Sequence, residues 1–107
     1  MIFPENTVIN ENIVIKENNV TLKNLTVNGT ITVEADRVSI INCTINAQDG
    51  AIVSSGKYFT ARGNKINCPL TAITLTNGSY NCLIAQNETD GEISVSLGYN
   101  CSITLNK

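Results

Sequence analysis

The stretch Val38-Ser39-Ile40-Ile41-Asn42-Cys43-Thr44-Ile45 contains two short alternating strands joined at one polar residue. Each strand alternates apolar with small or polar side chains, which is the pattern of a half-buried β-strand. Asn42 stands between the strands, and asparagine tolerates the left-handed backbone conformation of a tight bend. The stretch therefore predicts a strand, a bend and a second strand.

This arrangement recurs along the chain. Related segments lie at residues 20–27, 59–66 and 101–106. A second family of short strands lies at residues 13–15, 31–33, 73–75 and 93–95. Corresponding positions are about 18 to 22 residues apart, a period typical of solenoid proteins.

Glycine and polar residues recur with the same period. The three series are Gly29, Gly50 and Gly91; Gly56, Gly78 and Gly98; and Asn24, Asn42, Gly63-Asn64, Gln86-Asn87 and Asn106. We interpret each series as a left-handed turn that occurs once per repeat. Three strands and three turns in about 20 residues predict one coil of a parallel β-helix.

The predicted fold is all-β: a single-stranded parallel β-helix of about five coils with three short strands each. It forms one domain over residues 1–107, in which residues 1–7 would cap the first coil. An antiparallel β-sandwich is the alternative, but the strands are short and hairpin dipeptides are scarce. The side chains expected to face the interior are Ile13, Ile15, Val20, Leu22, Leu25, Val27, Ile31, Val33, Val38, Ile40, Cys43, Ile45, Ile73, Leu75, Ile93, Val95 and Ile103.

The segment at residues 38–45, with asparagine at the bend between two strands, resembles the repeats of right-handed parallel β-helix proteins. These include pectate-lyase-like proteins, phage tailspikes and adhesin-like surface proteins. The resemblance covers about residues 7–106 and implies a right-handed solenoid, the sense that parallel crossovers generally prefer. Because the fold carries lyases, hydrolases, adhesins and inert spacers, it implies no single activity.

Composition narrows the classes of function. Seven basic and nine acidic residues give a net charge of −2, and histidine is absent. The few scattered basic residues argue against a nucleic-acid partner. No apolar run approaches the roughly 20 residues of a membrane span, and the start of the chain lacks the profile of a signal peptide. We therefore expect neither a nucleic-acid nor a membrane partner.

Enzymes on this fold that cleave sugars depend on placed carboxylates. Glu34 and Asp36 form one pair, and Glu88, Asp90 and Glu92 cluster near a turn. Neither group has a basic partner at a comparable position of the adjacent coil, and the commonest general base, histidine, is missing. We predict no enzymatic activity and no cofactor. The acidic cluster is either a solvated turn or a weak calcium site.

Two cysteines and three tyrosines are candidate site residues. Cys82 and Cys101 each follow a Tyr-Asn dipeptide, one coil apart, so stacked coils would bring them within disulfide range. The alternative is that both are small buried side chains of the core. Tyr58, Tyr80 and Tyr99 follow the second glycine series and would line one edge of the solenoid, either binding a glycan or covering the interior.

The function expected from the fold is that of a non-enzymatic structural or attachment module of a virion, such as a phage tail or capsid, or of a cell surface. Its location would be extracellular or in the virion. Because strand edges at the coil ends must be capped or docked, we expect protein partners there, most simply a homo-oligomer such as a trimer. A carbohydrate-binding or carbohydrate-active β-helix that recognises a cell-surface glycan is the alternative.

Overall fold

The computed structural model describes residues 3–76, 78–95 and 100–107, in which every helix or strand element is a β-strand. The first sheet contains β1 (Val8–Ile9), β4 (Thr26–Asn28), β7 (Thr44–Asn46), β10 (Lys65–Asn67) and β13 (Glu88–Thr89). The second contains β2 (Ile13–Ile15), β5 (Ile31–Val33), β8 (Gly50–Ser54), β11 (Thr71–Leu75) and β14 (Glu92–Val95). The third contains β3 (Thr21–Lys23), β6 (Ser39–Ile41), β9 (Thr60–Arg62), β12 (Leu83–Ala85) and β15 (Ser102–Thr104).

All three sheets are parallel, and each coil contributes one strand to each sheet. The chain completes four turns between β1 and β13 and continues through β14 and β15. The predicted parallel β-helix with three strands per coil is confirmed, and the antiparallel sandwich is excluded. The right-handed sense of the winding stays a prediction from the preference of parallel crossovers.

The interior is filled by apolar columns in which like positions of successive coils stack. In the third sheet the column is Leu22, Ile40, Ala61, Ile84 and Ile103. Most of the predicted inward side chains are buried. Ile93 is only partly buried, and the prediction for Ile103 is wrong because it is 44% exposed, with no strand among the described residues beyond β15 in its sheet. The side chain of Val95 lies outside the described part.

Left-handed residues occupy two corners of the coils. At the corner between the second and third sheets they are Asn19, Arg37, Tyr58, Asn81 and Asn100. At the corner between the third and first sheets they are Asn6, Asn24, Asn42, Gly63, Gln86 and Leu105. The predicted bends at Asn24, Asn42, Gly63 and Gln86 are confirmed. Asn106 is not the bend residue, because Leu105 takes that conformation (φ 57°) one position earlier.

The predicted positive φ is found at Gly78 (φ 98°), whereas Gly56 and Gly91 have a different physical reason from the one expected. Among the described glycines only Gly63 and Gly78 have positive φ. A Cβ atom on Gly56 would collide with the carbonyl oxygen of Ala35 in the preceding coil, and one on Gly91 with that of Cys68. Glycine at these two positions therefore permits close approach of neighbouring coils and not a left-handed turn. Within the described residues, no helix has the length and apolarity to cross a membrane.

Candidate functional site

The C-terminal end of the solenoid, here called the open end, consists of β13, β14, β15 and the residues 105–107 that follow. The outer edges of β14 and β15 pair with no strand among the described residues. Lys107 begins the next level: its N–H donates to Asn87 O (2.8 Å), and its carbonyl oxygen accepts from Thr89 N–H (2.7 Å). At the open end, main-chain N–H and C=O groups on the outer edges of β14 and β15 therefore face outward.

Apolar side chains are exposed at the open end. Ile84 and Ile103 are register partners in consecutive coils, yet Ile84 is 0% exposed and Ile103 is 44% exposed. Leu105, at the adjoining bend, is 72% exposed. Beside it lies a groove of about 660 Å³, lined by Gln86, Asn87, Glu88, Leu105, Asn106 and Lys107. The open end therefore combines strand edges, apolar surface and a groove.

A row of asparagine side chains, here called the inner asparagine ladder, leads to this groove and consists of Asn64, Asn87 and Asn106. Asn64 Oδ1 accepts from the main-chain N–H of Cys43 at 2.8 Å. Asn87 Oδ1 accepts from both the main-chain N–H and Nδ2 of Asn64, each at 3.0 Å. Asn106 Oδ1 accepts from the same two groups of Asn87, at 3.0 and 2.9 Å.

The side-chain amide of each residue in the inner asparagine ladder also donates a hydrogen bond to a main-chain carbonyl nearer the N-terminal end of the solenoid. The Nδ2 groups of Asn64, Asn87 and Asn106 donate to Ile40 O (2.9 Å), Ala61 O (3.0 Å) and Ile84 O (3.0 Å). Both N–H groups of the Asn64 and Asn87 amides are thereby used, one on each side. Asn64 and Asn87 are buried, and the described residues contain no buried side-chain nitrogen or oxygen without a partner. The sequence places these asparagines at predicted bends, where asparagine side chains can stack and hydrogen-bond from coil to coil. In the structure Asn64, Asn87 and Asn106 form such a ladder, each one position beyond the left-handed residue of its bend.

The N-terminal end differs because residues 3–7 lie against the first coils. Phe3 packs against the core, and the N–H of Asn6 donates to Asn24 O at 2.7 Å. The hydroxyl of Thr7 donates to Pro4 O at 2.6 Å, which holds the segment in a compact turn. The cap predicted for residues 1–7 stays a prediction, and residues 1 and 2 lie outside the described part.

A second row of asparagines runs along the outside of the first sheet. This outer asparagine row consists of Asn10, Asn28, Asn46 and Asn67, in which each Nδ2 donates to the preceding Oδ1 at 2.6 to 2.8 Å. Asp90 is next in register but turns to accept from the N–H of Cys68 at 2.7 Å. Unlike the inner ladder, this row lies largely in water.

Two of the predicted tyrosines meet at the corner between the second and third sheets. The ring centroids of Tyr58 and Tyr80 are 5.7 Å apart, with an edge-to-face angle of 70°. The Arg37 guanidinium lies 4.7 Å from the Tyr58 centroid, and Lys57 Nζ lies 5.2 Å from that of Tyr80. Tyr99 lies outside the described residues, so the complete row stays a prediction.

Cys82 and Cys101 precede register-paired strands, and the N–H of Ser102 donates to Cys82 O at 2.9 Å. Cys82 is buried and Cys101 is half-buried. The pKa of the Cys82 thiol is raised to about 11: burial is the main cause, a backbone hydrogen bond with Phe59 lowers the pKa, and the neighbouring Cys101 raises it. Cys43 belongs to the core, and its pKa is raised chiefly by burial. The Cys82–Cys101 disulfide stays a prediction.

The predicted acidic residues do not form a common site in the described structure. Asp36 accepts from the N–H of Lys57 at 3.0 Å, while Glu88 and Glu92 belong to different sheets. The expectation that the acidic cluster has no basic residue at the matching position of the adjacent coil is wrong for Glu88, whose register partner is Lys65. Within the described ranges, no three side chains of Cys, Asp or Glu converge as a metal site requires.

Comparisons with protein-family models, with curated proteins and with solved structures find no match to this chain.

Proposed function

We propose that this chain is a non-enzymatic structural or attachment module that assembles with other protein chains through the open end of its solenoid. The resemblance to tailspike and adhesin-like repeats supports a place on a virion or a cell surface, outside the cell. A homo-oligomer, for example a trimer, is the simplest assembly, since identical chains offer identical ends.

The observation that carries this proposal is the contrast between Ile84 and Ile103. They occupy equivalent positions of consecutive coils, but only Ile84 is covered. Apolar surface beside unpaired strand edges favours pairing with another chain, because both the hydrophobic and the main-chain groups gain partners. Phe3 packs against the core near the opposite end, which favours the open end as the assembly surface.

Sedimentation velocity over a wide range of protein concentration tests this proposal. We expect concentration-dependent self-association that Leu105→Asp abolishes, because a carboxylate would be buried at the interface. The matched control is Val8→Asp, since Val8 is also exposed (57%) but lies in β1 at the other end. A chain that stays monomeric throughout, or one that loses association only with Val8→Asp, contradicts the proposal.

A second candidate function, glycan binding, is favoured by the pair Tyr58 and Tyr80. Tyr58 is exposed and Tyr80 half-buried, and their rings meet at a corner with Arg37 and Lys57 beside them, which suits contact with a sugar ring. Glycan-array binding that is lost with Tyr80→Ala or Tyr99→Ala and kept with Leu105→Asp would support it. Binding of no sugar at millimolar concentration rules it out.

A further inference from the structure

We propose that the open end binds an extended polypeptide segment in which an asparagine is followed by an acidic residue. The segment adds in parallel as the next level of the solenoid, with its asparagine continuing the inner ladder. This inference rests on the proposed function and names the chemistry of a second, different chain at the assembly surface, because Asn87 of this chain is already stacked between Asn64 and Asn106.

The first support is the repetition of the inner ladder. At each level the asparagine Oδ1 receives the main-chain N–H of the preceding rung, as Asn87 Oδ1 receives that of Asn64 at 3.0 Å. The second N–H of each amide also points to the next rung, as from Asn87 Nδ2 to Asn106 Oδ1 at 2.9 Å. Every rung thus directs two donors at one oxygen atom of the following coil.

Asn106 is the last rung and directs the same two donors outward. Its Nδ2 donates to Ile84 O at 3.0 Å, which leaves one amide hydrogen for the next level. Among the described residues, no acceptor faces that hydrogen or the main-chain N–H of Asn106. Both donors open into the groove of about 660 Å³, where an incoming side-chain amide oxygen would satisfy them together.

The second support is charge. Lys65 and Glu88, the residues that follow Asn64 and Asn87, are register partners in the first sheet. Lys107 follows Asn106 and takes the next position, since its N–H donates to Asn87 O as that of Glu88 donates to Asn64 O, both at 2.8 Å. The charges of this column alternate in sign. An acidic residue after the partner's asparagine extends the alternation, and opposite charges on adjacent strands attract.

The third support is the exposed apolar column. Ile103 stands three positions before Asn106, as Ile84 stands three positions before Asn87. A partner with an apolar residue three positions before its asparagine would cover Ile103 as Ile103 covers Ile84. The preferred partner therefore carries an apolar residue, two connecting residues, an asparagine and an acidic residue, in that order.

A peptide with this pattern is present in the chain itself, at residues 83–89 (Leu-Ile-Ala-Gln-Asn-Glu-Thr). This peptide, with both termini blocked, is titrated into the uniformly 15N-labelled full chain. We expect the largest changes of chemical shift at the main-chain and side-chain amides of Asn106. A peptide with Asn87→Leu leaves both donors without an acceptor and binds at least about fivefold more weakly. A peptide with Glu88→Lys also binds more weakly, with a difference that salt reduces.

Varying the peptide keeps the folded protein unchanged. Equal binding of the parent and Asn87→Leu peptides, shifts that map to the first coil, or no binding of any peptide overturns this inference. Sedimentation of the unliganded chain tests the proposed function separately. If Leu105→Asp abolishes self-association but the parent and Asn87→Leu peptides bind equally, the assembly surface is supported and the preference for asparagine is overturned.

Discussion

The fourth and fifth coils follow the same backbone path but differ in what lies above them. Ile84 in β12 and Asn87 at the following bend are covered by the fifth coil, whereas no described residue stacks above Ile103 and Asn106. The same side-chain types are therefore interior in one coil and exposed in the next. Burial in a solenoid is a property of the neighbouring coil as much as of the residue itself.

The largest effect expected from this difference is on core truncation. Ile84→Ala should lower the free energy of unfolding by about 2–5 kcal/mol, because it opens a cavity in a covered column. Ile103→Ala removes the same atoms from a position that is 44% exposed, and should cost less than about 1.5 kcal/mol. Denaturant unfolding of both variants measures the difference. Equal losses of unfolding free energy would show that Ile103 is covered in solution or that Ile84 is not tightly packed, and would contradict the difference between the two coils.

The two asparagine rows provide the next comparison. Asn64→Leu should cost about 2 kcal/mol, since it leaves the N–H of Cys43 buried without a partner. Asn46→Leu interrupts the outer row, whose exposed amides can bind water instead, and should cost less than about 1 kcal/mol. Urea unfolding of the two variants, with unchanged circular dichroism, tests this. A larger loss for Asn46→Leu would contradict the assignment of the inner ladder.

A smaller effect concerns the attachment of the last coil. Oxidation of Cys82 and Cys101 by glutathione disulfide should form a bond between the fourth and fifth coils and stabilise the chain by about 2 kcal/mol. Peptide mapping by mass spectrometry identifies the bond, and thermal unfolding with and without reductant measures the gain. Cys101→Ala is the control and should show no gain. Mixed disulfides at Cys82 and Cys101 in place of the pair would contradict the stacked geometry.

The smallest effect is at the last bend. Leu105 has a left-handed conformation (φ 57°), which is unfavourable for leucine and is tolerated by asparagine at the equivalent Asn24 and Asn42. Leu105→Asn should therefore stabilise the isolated chain by roughly 0.5 kcal/mol while weakening self-association. Thermal unfolding and sedimentation measure the two changes. Destabilisation of the dilute monomer would show that Leu105 already contributes packing there.

The fold could be predicted because most coils repeat a local pattern. The alternation at residues 38–45 and the bend at Asn42 are visible in the sequence and match β6 and β7. β12 was harder to recognise because Leu83-Ile84-Ala85 lacks the alternating serine or threonine of the other strands. The last bend could not be predicted at Leu105, because leucine does not favour the left-handed conformation that it has there.

The candidate site was less predictable. Asparagine is a common turn residue, so the sequence predicts Asn64, Asn87 and Asn106 as bend residues. In the structure the left-handed residue of each bend is the one before the asparagine. Alternation alone placed Ile103 in the interior, since a strand pattern indicates a face but not whether another coil covers it. The interpretation of the C-terminal coil as an interface did follow from the sequence, because it depends on strand edges at a coil end.

Hydrogen–deuterium exchange across a range of protein concentration tests most directly whether the open end is the assembly surface. Peptides covering residues 100–107 should exchange rapidly in dilute solution and become protected as the chain associates, while peptides from β1 and β2 keep the same rates. Protection that rises in the first coil, with residues 100–107 unchanged, would contradict this account.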